Sequence, residues 1–163
     1  MKQLNLPNST LIASIAASFI GIGAQLYALV VLAGTIAKAP PRSFAIFEGQ
    51  YGYDSSTFWN IFPPISFVLF IIALIANWKT QRRNIMLFTL AMIILGGLFM
   101  IFIVEPDFNE MKAMGFRDEV DPVLQVRAAK WYILDWVGWT IGAAGGFALL
   151  LALVQPVTSP RRP

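Results

Sequence analysis

The chain has 163 residues and a formal net charge of +3; 57% of the residues are hydrophobic and only 13% are charged. Because charged residues make up about a quarter of an ordinary soluble domain, this composition excludes a water-soluble globular protein and predicts an integral membrane protein. The sequence contains no Cys and no His, which excludes disulfides, thiolate or imidazole metal sites, and catalysis by cysteine or histidine.

Four long apolar stretches predict four membrane-spanning helices, since a helix needs about 20 apolar residues to cross a hydrocarbon core of about 30 Å. The stretches of this length are residues 11–37, 58–78, 85–104 and 131–154. A signal peptide has a shorter apolar run of about 7 to 15 residues, so the first stretch is expected to stay in the protein. We predict an all-α fold: an integral membrane four-helix bundle over residues 1–157, followed by a flexible tail at 158–163.

The basic residues predict the orientation of the bundle. By the positive-inside rule, short segments rich in Lys and Arg stay in the cytoplasm. Basic residues without acidic neighbours occupy both ends and the connection between the second and third spans: Lys2, Lys79, Arg82, Arg83, Arg161 and Arg162. We expect both termini in the cytoplasm and the acidic first and third connections outside, in a bacterial inner (plasma) membrane. The positive charge then needs no nucleic-acid partner.

The two outer connections are long and carry structural signals. The first is rich in aromatic residues, unlike a disordered segment. In the third connection, Pro106 is a residue typical of the first turn of a helix, and it predicts a short helix that ends at Gly115. Asp121 followed by Pro122 predicts the start of the fourth helix, about two turns before its apolar part. We expect the aromatic loop, the short helix and the raised fourth helix to form a small extracytoplasmic cap.

Asp135 is the only acid within the four apolar stretches, and an ionisable group inside a membrane is a candidate functional residue. At about 100° per residue it shares one side of its helix with Gly138, Gly142 and Gly145. Small residues mark close helix packing, so Asp135 is expected to point into the bundle. There it can act as a functional group, or it can bond a neighbouring helix or headgroup water.

Other polar residues form two groups. In the first span, Gln25 ends a stripe of small and polar residues at helical spacing, where its amide can line a cavity or simply bond another helix. After the third span, Glu105, Asp107 and Asn109 lie at the membrane edge, where they can bind a cation, accept a proton or remain ordinary surface. Arg127 can pair with these acids and hold the outer segments together.

Three features of the sequence stand out: Phe58-Trp59, the segment Glu105 to Asn109, and the segment Arg127 to Trp139, which leads into a fourth span rich in small residues. In these features the chain resembles the anthrone-oxygenase-like family of small membrane proteins. The resemblance implies a cofactor-independent oxygenase without a metal, in which a base removes a proton from carbon and the carbanion reacts with dioxygen. By role, the expected site residues are Asp135 and Glu105 as bases, Gln25 and Asn109 as hydrogen-bond donors to an oxyanion, and Asp107, Arg127 and Trp131 as further substrate contacts.

The function predicted from these features is a small-molecule pocket near the outer leaflet, with an oxygenase-like activity on an oxidisable aromatic or lipid-like substrate. The alternative is a non-catalytic accessory subunit or assembly factor of a larger membrane complex, which would dock through glycines such as Gly96 and Gly97. A channel or transporter is a third interpretation. The expected partners are membrane lipid, a hydrophobic small molecule, and either further copies of the chain or a larger complex.

Overall fold

The protein is all-helical in the computed structural model, which describes residues 5–157 and contains no strand among them. Four helices are long and apolar enough to cross a membrane: Leu6–Ile36 (α1), Ser56–Ala76 (α2), Arg83–Ala113 (α3) and Pro122–Val154 (α4). The prediction of an all-α protein with four helices long and apolar enough to span a membrane is therefore confirmed. The expected flexible tail at 158–163 and the basic residues of both ends lie outside the described residues.

Capping side chains fix where the first and last helices begin. The Asn5 side chain accepts a hydrogen bond from the Asn8 N–H (3.2 Å) at the start of α1. Asp121 Oδ1 accepts from the N–H groups of Val123 (2.8 Å) and Leu124 (3.2 Å), and Pro122 is the first residue of α4. Both caps satisfy amides that have no partner within the helix. The predicted start of the fourth helix at Pro122 is confirmed.

The segment from Pro106 differs from the prediction, because it is not a separate short helix. It continues α3 through a widened, π-helical turn at Met100–Val104. Pro106 has no N–H to donate to the carbonyl four residues earlier, and a wide turn just before a proline lets the helix pass this defect without ending. The helix stops, as predicted, before Gly115, whose φ of 68° is in the left-handed region.

The helices are arranged in the order α2, α1, α4, α3 around the bundle. α1 packs along both α2 and α4, and α3 packs along α4, whereas α2 and α3 make few contacts although they are consecutive. Consequently the bundle is closed on three sides and is open along the side between α2 and α3. In a bilayer this side faces lipid.

Two apolar cores close the ends of the bundle. One lies beside the α2–α3 turn and includes Leu11, Phe70, Met86 and Leu149. The other lies at the opposite end and comprises Leu29, Ala33, Ile36, Phe44, Val104, Met111, Leu124, Ala128 and Trp131. Phe44 comes from a 3₁₀ helix, Arg42–Phe47, so the α1–α2 connection is packed against the ends of α3 and α4.

A polar network holds the helix ends at the α2–α3 turn. Arg82 is 3% exposed and donates hydrogen bonds to the carbonyl oxygens of Gln155 (3.0 Å) and Leu153 (3.3 Å) and to Asn8 Oδ1 (2.7 Å). The buried Asn77 accepts from Arg82 (3.3 Å) and donates to the Pro7 carbonyl (2.9 Å). The carboxyl end of α4 carries a partial negative charge, which favours the guanidinium at this position.

Candidate functional site

A cavity of about 220 Å³ lies between the two cores, and all four helices contribute to its wall. Its lining residues are Ala17, Ser18, Gly21, Ile22, Gln25, Trp59, Phe62, Pro63, Ser66, Phe67, Phe70, Thr89, Ile93, Gly142 and Gly146. The wall is mostly apolar and aromatic with a few polar groups, which is the usual composition of a small-molecule site. The cavity is therefore the best candidate site in the described part of the chain.

Small residues on α1 and α4 leave the space that forms the cavity. A Cβ atom added at Gly142 would meet no atom within 4 Å, so the wall is recessed there. A Cβ atom at Gly21 would lie 3.5 Å from the Phe62 ring, which closes the cavity on the α2 side. The glycines of α4 thus have two roles, since some of them line the cavity and others let helices pack closely.

Polar groups with unused hydrogen-bonding capacity face this apolar space. Within residues 5–157 the half-buried Gln25 side chain makes no hydrogen bond, and Ser66 Oγ is buried without a partner. Pro63 and Pro64 lie inside α2, so the carbonyl of Trp59 has no N–H partner four residues later. The cavity therefore offers an amide and a hydroxyl to a bound molecule.

Asp135 is half-buried and makes no hydrogen bond to the described residues. On the helix surface, Asp135 projects between the directions of Gly138 and Trp139, which follow one turn later. Trp139 Nε1–H donates to the Ile22 carbonyl of α1 (3.2 Å), and Gly138 packs against Met100 of α3. Asp135 is thus on the side of α4 that faces the gap between α1 and α3. It does not line the cavity, which reaches α4 about two turns further along at Gly142.

The other acidic candidates lie on the far part of α3. Glu105 and Asn109 are exposed and do not line the cavity. Asp107 and Glu110 each accept a hydrogen bond of 2.6 Å from Arg127 of α4. The sequence predicted the pairing of Arg127 with Asp107 but not with Glu110. Asp107 and Arg127 therefore join α3 to α4.

Trp131 is a core residue of this end of the bundle. It is 5% exposed and stacks on Phe108, with ring centroids 4.9 Å apart and an angle of 19° between the rings. Its Nε1–H is buried without a hydrogen-bond partner among residues 5–157. No group of three or more acidic side chains in that range could hold a metal ion. The structure does not bring Trp131, Glu105 or Asn109 together with Gln25 at the cavity.

A second pocket of about 240 Å³ adjoins the cavity at the end of α2 that begins with Ser56. It is lined by Ala24, Tyr27, Ala28, Tyr53, Ser55, Phe58 and Trp59. Trp59 lines both spaces. The sequence shows that this segment is rich in aromatic residues. It does not show that Tyr53 and Trp59 line the same pocket as Tyr27 of α1, because that depends on how α1 and α2 pack.

No protein-family model, curated protein or solved structure matches the chain. The resemblance to the anthrone-oxygenase-like family therefore stays a prediction, and the functional inference depends on the cavity and its surroundings.

Proposed function

We propose that this membrane protein binds an apolar small molecule in the cavity between its four helices. The observation that carries the proposal is the cavity wall, which combines aromatic and aliphatic side chains with Gln25 and the unpartnered Ser66 hydroxyl. An apolar molecule dissolved in lipid can reach it through the open side between α2 and α3. The fitting ligand class is a molecule with an apolar body and at least one group that hydrogen-bonds to an amide.

We also propose an orientation of the bundle in the membrane, which is based on its exposed basic residues. The α2–α3 turn carries Lys79 and Arg83 as exposed basic residues, so we place this turn in the cytoplasm, together with both termini. The Tyr53 end of the bundle then forms the extracytoplasmic cap, and the end of the cavity that Gln25 and Trp59 line lies toward the outer leaflet. A bacterial inner membrane fits this arrangement.

Filling the cavity tests the proposal. Gly142→Leu places a side chain into the open space at the cavity wall, whereas Gly97→Leu makes the same change at an exposed position of α3 that also has no atom within 4 Å of a Cβ. We expect Gly142→Leu to weaken binding of an apolar probe at least about tenfold, because the leucine occupies the ligand's space. We expect Gly97→Leu to leave it unchanged.

The measurement is quenching of Trp59 fluorescence by a bromine-terminated dodecanol, with the protein in neutral maltoside micelles. Subtracting the signal of Trp59→Phe isolates this residue from the other tryptophans. Saturable quenching that Gly142→Leu abolishes supports the proposal. Quenching that is identical in both leucine variants, or that never saturates, contradicts it.

A second candidate function is the cofactor-independent oxygenase that the family resemblance implies. The observation that favours it is Asp135, a half-buried carboxylate without a hydrogen-bond partner among the described residues. Asp135 would take a proton from an activated CH₂ group of the substrate; the carbanion would add dioxygen, take up a proton to give a hydroperoxide, and lose water to give a ketone. Dioxygen is the oxidant, and the substrate carbon is oxidised.

We expect Asp135→Asn to abolish substrate-dependent oxygen uptake with an anthrone-type ring, and Glu105→Gln to reduce it only if the exposed Glu105 also reaches the substrate. Oxygen consumption by purified protein in micelles measures this. Unchanged uptake in both variants contradicts the oxygenase. Isolation in mild detergent of a stoichiometric complex with a different chain would instead support the accessory-subunit alternative.

A further inference from the structure

The second pocket has the composition of a cation site. Four aromatic side chains line it, Tyr27, Tyr53, Phe58 and Trp59, and none of its lining residues is basic. The faces of aromatic rings carry negative potential, so rings that surround one space attract an organic cation, and quaternary ammonium groups in particular. Phe58 meets Trp59 edge to face and stacks on Phe62, with ring centroids 4.9 Å and 5.0 Å apart, so Phe62 covers one face of Phe58.

An ionised carboxylate lies beside these rings. Asp54 lies between Tyr53 and Ser55 in sequence, and it accepts hydrogen bonds from the Ser56 N–H (2.8 Å) and the Ser56 hydroxyl (3.0 Å). These bonds, the backbone one above all, lower the pKa of Asp54. Asp54 therefore places a negative charge next in sequence to two residues that line the pocket, Tyr53 and Ser55.

The neighbouring aromatic cluster already binds one cation of the protein itself. Lys112 Nζ of α3 lies 4.6 Å from the centroid of the Phe47 ring, and Phe47 packs against Tyr53 with centroids 6.4 Å apart. Lys112 also lowers the pKa of Asp54, so its charge acts on this carboxylate as well. The pocket formed by Tyr27, Tyr53 and Trp59 contains no such group of the protein.

Trp59 lines both the cation-type pocket and the apolar cavity, so the two spaces are neighbours. One molecule can therefore fill both if it has a cationic head and an apolar chain. We infer that the protein binds a membrane amphiphile with an alkylammonium headgroup, with the headgroup among Tyr27, Tyr53 and Trp59 and the chain in the cavity. This inference rests on the proposed function, and it specifies the ligand class of the same site.

The experiment compares two probes with the same chain: a bromine-terminated dodecyltrimethylammonium ion and the corresponding dodecanol. With the Trp59 quenching measurement we expect the ammonium probe to bind about tenfold more tightly. Tyr53→Leu keeps an apolar side chain but removes a ring face, so it should weaken the ammonium probe about threefold or more and leave dodecanol unchanged. Tyr53→Phe keeps the ring and is the matched control, for which we expect no change.

Each outcome distinguishes the headgroup inference from the proposed function. Equal affinity for the two probes overturns the ammonium site while the apolar cavity stands. Binding of neither probe overturns both. If tetramethylammonium alone displaces the ammonium probe as well as the complete amphiphile does, the pocket binds a free organic cation. The inference that one molecule fills both the pocket and the cavity is then wrong. A loss of dodecanol binding in Tyr53→Leu would show that the variant disturbs the cavity and would also contradict the assignment of Tyr53 to the headgroup.

Discussion

Replacing Arg82 by Ala is expected to lower the free energy of unfolding by about 3 kcal/mol. The side chain is 3% exposed and makes hydrogen bonds to two carbonyls of the α4 end and to Asn8 of α1. A hydrogen bond to a charged group contributes about 1.5–3 kcal/mol, and a buried acceptor left without its partner is unfavourable. The effects of one network are not additive, so the expected loss is smaller than the sum.

Arg83→Ala is the matched control for this prediction. Arg83 is the next residue in the chain, but it is exposed, with its guanidinium 5.8 Å from the Trp78 ring. An exposed cation–π contact contributes about 0.5–1 kcal/mol, so the expected loss is at most that. Arg82→Lys should lie between the two, because an ammonium keeps the charge but cannot reach all of the acceptors.

Unfolding in mixed maltoside and dodecyl sulfate micelles, followed by circular dichroism, measures these differences. If Arg82→Ala and Arg83→Ala lose the same stability, the network does not hold the helix ends. Binding of the apolar probe should persist in folded Arg82→Lys, because Arg82 lies at the opposite end of the bundle from the aromatic pocket. This readout separates a role in stability from a role at the site.

The four helices could be predicted because their signals are local in sequence. The length and polarity of an apolar run determine whether a segment can cross a bilayer, and the cap at Asp121 depends on residues within one turn. Pro106 shows the limit of local signals. A proline there permits either a new helix or a wide turn within an old one, and the packing of Val104 and Met111 into one core favours the continuous helix.

Site residues could be predicted only where residue spacing along a helix determines which side of the helix a residue is on. Spacing put Gln25 on an inward stripe, and the structure has Gln25 in the cavity wall. It also put Asp135 on the inner side of α4, but spacing does not show how far along the bundle the cavity extends. Arg82 was interpreted only as a topological charge, because three of its four acceptors lie more than 70 residues away in the chain. For the same reason the sequence does not predict that Tyr27 and Trp59 line one pocket, because they are brought together only by the packing of α1 against α2.

Gly145→Leu is expected to destabilise the bundle by about 3 kcal/mol, whereas Gly142→Leu, one turn earlier on the same helix, should leave stability nearly unchanged. A Cβ atom at Gly145 would lie 3.1 Å from Met92 Cβ and 3.7 Å from the Thr89 carbonyl oxygen, at a contact where Thr89 Oγ1 donates to the Gly145 carbonyl (3.2 Å). A larger side chain must push α3 from α4 and break this bond, and overpacking of this kind costs about 1–3 kcal/mol.

The same unfolding measurement compares the two leucine variants, which add the same apolar surface to the same helix. Because Gly142 lines a cavity and Gly145 lies at a helix contact, stability and probe binding should separate. Gly145→Leu should lose stability, while Gly142→Leu should lose ligand binding and remain folded. Equal stability of the two variants would contradict the close α3–α4 contact at Gly145. Loss of stability in Gly142→Leu would contradict the cavity beside it, because an empty space accepts a leucine without displacing a helix.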